Sequence, residues 1–281
     1  MHLDCCVTES DRRWDFALDQ PGSASPATLR YSAGFAAIII AATVATVAFR
    51  HLQLAVFPQF ATFHAGFILV VDGIAAFLLF GQFAYRPLAF YALLGAAYLF
   101  NALVVIPFLL SFPGGLKAES VVIGGSQSAI WVWHAWHIVF PIMVGLSLLA
   151  HERTTSRPVP AARVVPYIGW MVATAVVLAS LVTLAVSVFH DHLPVLITPA
   201  RVPHTSTFYA VGGTAAALTA FSLVLSLRGV RRRSVLHIWI AVALLAFLGD
   251  VVASLAGTGR YTVAWYFGRI VSMVSAAILL M

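Results

Sequence analysis

The fold this sequence predicts is all-α and membrane-integral: a bundle of eight transmembrane helices with both termini in the cytoplasm. Three observations predict it. Of 281 residues, 61% are hydrophobic and only 9% are charged, with a mean hydropathy of +0.96. A chain of that make-up places most of its length in lipid. Eight apolar runs follow one another, each near the ~20 residues a helix needs to cross the hydrocarbon core. Arginine and lysine gather on alternate breaks between those runs, which sets the orientation.

Residues 1–30 are polar and carry Asp4, Glu9, Asp11, Arg12, Arg13, Asp15 and Asp19 before a Pro21-Gly-Ser-Ala-Ser-Pro26 stretch. They read as a flexible cytosolic leader with no cleavable signal peptide. The two cysteines, Cys5 and Cys6, are adjacent, a spacing that rarely makes a structural disulfide. The eight-span membrane domain is expected over 31–281, with spans near 31–49, 60–83, 87–110, 127–150, 164–188, 208–227, 236–255 and 263–281. Turn chemistry separates them at Arg86-Pro87, Phe112-Pro-Gly-Gly115, Arg157-Pro-Val-Pro160 and Gly257-Thr-Gly259. Eleven arginines fall on the leader's side, including Arg86, Arg153 and the Arg231–Arg233 run. Only Arg50, Lys117, Arg201 and Arg260 fall on the other. The larger positive count marks the cytoplasmic side. This placement accounts for the net charge of +6 by topology, without a nucleic-acid partner. The last run ends in apolar sequence at Met281 without basic or polar anchors, so a cytosolic output domain is expected to follow.

Polar groups inside such spans mark function or helix pairing. The richest stretch is Trp131-Val-Trp-His-Ala-Trp-His-Ile-Val-Phe-Pro141. At 100° per residue, Gln127, Ile130, His134, His137 and Pro141 share one face. Asp72 lies mid-span with His64 two turns outward, and Asn101 lies mid-span in the next run. A carboxylate there is costly unless paired, hydrated or protonated. Asp250 and Arg269, at similar depth in neighbouring antiparallel spans, are expected to form a structural ion pair. His190, Asp191, His192 and His204 share a polar loop in which solvated polarity is the default reading and no metal site is assigned.

Several phrases, in this order, resemble the fourth class of bacterial membrane-associated sensor domains. They are Asp72 with Leu78-Leu-Phe-Gly-Gln-Phe83, Tyr98-Leu-Phe-Asn-Ala102, Ser111-Phe-Pro-Gly114, Gly125-Ser-Gln-Ser-Ala-Ile-Trp131, Trp136-His-Ile-Val-Phe-Pro141, and Ala264-Trp-Tyr266 with Arg269. The resemblance runs over about 31–281. Residues matching the family's pattern are Asp72, Gln82, Gln127, Trp131, Trp136, His137, Phe140, Pro141, Trp265, Tyr266 and Arg269. His134 departs from it, where an aromatic or apolar residue is more usual, and this weighs against a mechanism that requires both histidines. The resemblance implies a sensory module of the bacterial inner membrane, usually fused to a cytosolic GGDEF diguanylate cyclase or a histidine kinase, and not itself an enzyme.

The expected function is therefore signal input. An unidentified small ligand, lipid, quinone or proton-linked signal would act at Asp72, Gln127, Trp131, His134, Trp136 and His137. A shift of the last helix would carry the change to a homodimeric output. The alternative is a b-type haem electron carrier, ligated by His137 or His134 with His64. No nucleotide-binding glycine loop, paired carboxylates or activated nucleophile is visible.

Overall fold

The computed structural model describes residues 24–117, 120–154, 158–198, 204–231 and 234–280. Cys5, Cys6 and most of the leader lie outside the described residues, as do Arg157, Arg201, Arg232 and Arg233. Eight α-helices run through the described chain: α1 (Pro26–Ala48), α2 (Gln59–Tyr85), α3 (Ala89–Ser111), α4 (Ser128–Thr154), α5 (Val164–Val188), α6 (Ser206–Arg231), α7 (Val235–Ala256) and α8 (Val263–Ile278). The first seven are long and apolar enough to cross a membrane. The eighth has 16 residues, about 24 Å at 1.5 Å per residue.

Local signals fix the ends. Ser25 caps α1, its Oγ accepting from the Thr28 amide at 3.1 Å, with Pro26 in the first turn. Pro is preorganised at that position because its missing N–H has no helical partner there. The first helix thus starts five residues before the expected 31, inside the stretch read as leader. Thr262 caps α8 by accepting from the Trp265 amide at 3.3 Å.

Six helices pack in a closed ring, α2 on α3, α3 on α4, α4 on α6, α6 on α7, α7 on α8 and α8 back on α2. The other two lie outside it, α1 along α7 and α8, α5 along α3 and α4. Burial follows this order. Helices α3, α4 and α7 are mostly enclosed, whereas α1 and α5 present Tyr31, Ile38, Val44, Val165, Trp170 and Val177 outward. Apolar side chains all around a helix gain nothing from water exclusion in lipid, so exposure of these faces is the expected state of a membrane-spanning chain.

The connections at one end of the ring are tied to each other. Leu54 N donates to Tyr261 O at 2.8 Å and Val263 N to Leu52 O at 2.9 Å, joining the α1–α2 and α7–α8 loops. Tyr266 Oη donates to Ala55 O at 2.8 Å. Tyr261 adopts φ 62°, a left-handed conformation uncommon outside glycine, and turns the chain into α8.

Candidate functional site

Three groups of buried polar side chains meet in the ring. The first joins α4 to α7. His137 Nδ1 lies 2.7 Å from the Trp133 carbonyl oxygen and Nε2 lies 3.0 Å from Asp250 Oδ2. A carbonyl oxygen only accepts, so Nδ1 carries a proton. The Nε2–Oδ2 contact then requires one proton shared between imidazole and carboxyl. Both side chains are buried, His137 at 0% and Asp250 at 2% exposure. Ser254 Oγ donates to Asp250 Oδ1 at 3.1 Å. The imidazole lies between the rings of Trp133 and Phe247, with centroids 4.1 and 4.5 Å away.

The second group joins α2, α3 and α4. Asn101 Nδ2 donates to Asp72 Oδ2 at 2.5 Å, and Trp136 Nε1 donates to Asn101 Oδ1. Asn101 therefore uses both ends of its amide, one toward each neighbouring helix. Asp72 is 0% exposed, and among the described residues its Oδ1 has no hydrogen-bond partner.

The third group joins α2 to α8. His64 Nε2 lies 2.8 Å from Ser272 Oγ, which donates to the Arg269 carbonyl at 2.9 Å. With its hydrogen so used, the serine accepts from Nε2–H, which makes Nδ1 the unprotonated nitrogen. The Trp136 ring lies against both imidazoles, 6.1 Å from His64 and 5.1 Å from His137. Thus Trp136 links all three groups.

Above the His137–Asp250 pair, a cavity of about 530 Å³ opens toward the tied loops. Its walls include Phe108, Phe112, Trp133, Phe208 and Trp265, with Gln127, Ser254, His204, Arg260 and Arg269 as polar members. Volumes of about 300–1,000 Å³ with mostly apolar lining are typical of small-molecule sites.

The structure divides the residues expected to share one pocket. Gln127 lies beside the cavity but uses its amide on the α5–α6 loop: Oε1 accepts from the amides of Leu196 (2.9 Å) and Ile197 (3.1 Å), and Nε2 donates to Ile197 O (2.8 Å). Trp131 Nε1 reaches the same loop at Pro194 O, 2.9 Å away. His134 bonds the Ile130 carbonyl at 2.8 Å and packs edge-on against Phe208 of α6. Only Asp72, Trp136 and His137 of the expected pocket enter the polar groups. His190 pairs with Asp191 at 3.0 Å, and His204 lies 3.2 Å from the Gly257 carbonyl.

The short contact of Asp250 is to His137, and Arg269, expected to pair with it, acts on it as a nearby charge. Arg269 lies over the Trp265 ring at 4.9 Å, and among the described residues its hydrogen bond is to the Trp265 carbonyl at 3.4 Å. The reason is packing: Asp250 Oδ1 lies against Gly268, in the space a Cβ there would fill. The carboxylate thus meets α8 at the glycine beside Arg269, while its other oxygen is taken by His137. A Gly268→Ala change pushes a methyl into that carboxylate and should cost about 1–3 kcal/mol, read as a lowered melting midpoint in detergent. An unchanged midpoint would show that α8 can shift away freely.

The geometry tests the haem alternative as well. His64 and His137 each direct Nε2 to another side chain, and the Trp136 ring lies against both imidazoles. His134 faces α6 instead. These residues do not present two imidazoles across an open slot for a porphyrin.

A ring of apolar helices of membrane length, an interior crossed by polar links and a cavity reaching them are the architecture of an integral membrane domain. The family of membrane-associated sensor, integral membrane domains (MASE4) matches residues 55–281, and the chain belongs to that family. The match begins after α1, later than the residue 31 inferred from sequence phrases. No curated protein matches the chain and no solved structure matches it.

Proposed function

We propose that this chain is the signal-input module of a bacterial inner-membrane signalling protein. All eight helices cross the bilayer, both ends lie on the cytoplasmic side, and a homodimeric cytosolic output domain of the GGDEF cyclase or kinase type follows. The chain itself performs no catalysis. The excess of arginine on the leader's side supports this orientation, which places the cavity on the outer side.

The observation that carries the reading is the continuity from cavity to α8. Ser254 lines the cavity and bonds Asp250, which shares its proton with His137. Arg269 and Trp265 line the same cavity from α8, and the Arg269 carbonyl holds the serine that receives His64 of α2. A ligand that favours one arrangement of these links shifts α8 relative to α2 and α7. Transmission needs differential affinity for two helix arrangements, and buried polar links with few alternative partners supply discrete ones.

Reading the native frame beyond codon 281, then measuring cyclase or kinase output of that full-length protein in membranes, tests this. His137→Gln and Asp72→Asn should reduce stimulus-dependent output at least several-fold, on the scale of a 1–3 kcal/mol coupling, while the protein still inserts. Unchanged response in both variants, or a stop codon directly after Met281, would overturn the proposal.

A further inference from the structure

We propose that the cavity is an organic-anion site, built for a small monocarboxylate with an apolar, ring-sized body. This names the ligand class of the signal-input reading and rests on it.

The argument starts from Arg269. A guanidinium is always charged and presents five N–H donors. Here it is only 9% exposed, lines the cavity, and among the described residues makes one long bond of 3.4 Å, to the carbonyl one turn back on its own helix. The carboxylate expected to neutralise it, Asp250, gives its oxygens to His137 and Ser254. Asp250 acts on Arg269 only as a nearby charge, so the guanidinium turns its donors to the cavity, where an anionic acceptor offsets the cost of burying it.

The surroundings define that acceptor. Arg260, at the exposed mouth, holds its guanidinium over the Phe112 ring at 4.7 Å. Among the described residues the walls add cation but no carboxylate, as Asp250 lies outside the lining. One deep guanidinium suits the two oxygens of a single carboxylate, which it binds through parallel N–H donors. A dianion would bring a second charge against the Asp250 carboxyl below. The apolar part of the ligand would meet Phe108, Trp133, Phe208 and Trp265, aromatic faces that favour a flat body.

Benzoate, indole-3-acetate and octanoate, with neutral benzamide as the uncharged counterpart of benzoate, form the test panel on the 281-residue chain in lipid nanodiscs. Trp133 and Trp265 line the cavity, so tryptophan fluorescence reads binding, with calorimetry as the independent measure. Benzoate should bind at least about tenfold more tightly than benzamide, and Arg269→Gln should weaken benzoate about 10–100-fold, the scale of hydrogen bonds to a charged group. The same change should leave benzamide within about twofold, below the ~0.5 kcal/mol expected away from specific contacts. Equal affinities for benzoate and benzamide, an Arg269→Gln chain that keeps benzoate affinity, or no saturable binding of any carboxylate at millimolar concentration would each overturn the proposal. Should the Arg269 variant fail to fold, Arg260→Gln and the benzoate–benzamide comparison on the unaltered chain decide it. The output assay separates the two readings. Arginine-dependent binding without any change in output refutes signal input. A stimulus response in a chain that binds no carboxylate refutes only the anion site.

Discussion

Replacing His137 with alanine should lower stability by about 3–5 kcal/mol, the cost of leaving one partner of a buried ion pair behind. The residue left behind is Asp250, 2% exposed, with Ser254 as its only remaining side-chain hydrogen-bond donor among the described residues. Two further losses accompany it: the bond to the Trp133 carbonyl and the packing of the imidazole between Trp133 and Phe247. The decisive comparison is the double change His137→Leu with Asp250→Leu. It removes both charges and refills the volume, so it should recover most of the loss, since apolar replacement of a whole buried pair is often neutral or stabilising. Reversible unfolding in mixed micelles measures both. Equal losses for the single and double changes would show that the pair contributes only volume.

Asn101→Leu should cost about 2–6 kcal/mol, because two groups lose their partners at about 1–3 kcal/mol each. The Trp136 indole N–H and Asp72 Oδ2 both depend on the one amide, and Asp72 Oδ1 already lacks a partner among the described residues. Interhelical hydrogen bonds in membranes are worth only about 0.6 kcal/mol on average. Each typical bond leaves its partners other options, whereas here the surroundings are fully enclosed. Adding Asp72→Leu to Asn101→Leu removes one of the two orphaned groups and should return roughly half of the loss. A single-variant cost near 0.6 kcal/mol would instead mean that water or a rotated side chain satisfies the carboxyl.

The helices were legible because hydrophobic runs of membrane length leave few alternatives. Their observed ends fall within about five residues of expectation, the limit set by frayed or capped termini. Ser25-Pro26 carries the capping signal that places the start of α1 earlier than the apolar run suggests. The site was legible only in part. Periodicity puts Gln127, His134 and His137 on one helical face; Gln127 falls in the turn just before α4, and three neighbours divide the stripe: the α5–α6 loop takes Gln127, α6 takes His134 and α7 takes His137. Which helix lies opposite is a tertiary fact that spacing along one helix does not contain. The Asp250–Arg269 expectation used depth alone and missed Gly268, whose absent side chain lets the carboxylate sit against α8 beside the arginine. Asn101 stood out as a polar residue in an apolar run, yet its role as the joint between Asp72 and Trp136 needed three helices in register. Ser254 and Ser272 gave no signal, since serine is ordinary in membrane helices.

The closed ring also has a consequence for biogenesis. Its final contact, α8 on α2, joins residues 208 positions apart in the His64–Ser272 bond. Helices enter the bilayer in the order of synthesis, and contacts so distant along the chain form late. Until α8 arrives, α2 holds His64 and Asp72 on a helix with one flank open to lipid, a state that a membrane chaperone or protease can recognise. Closure of the ring is thus the step at which the membrane domain passes from a substrate of quality control to a packed bundle.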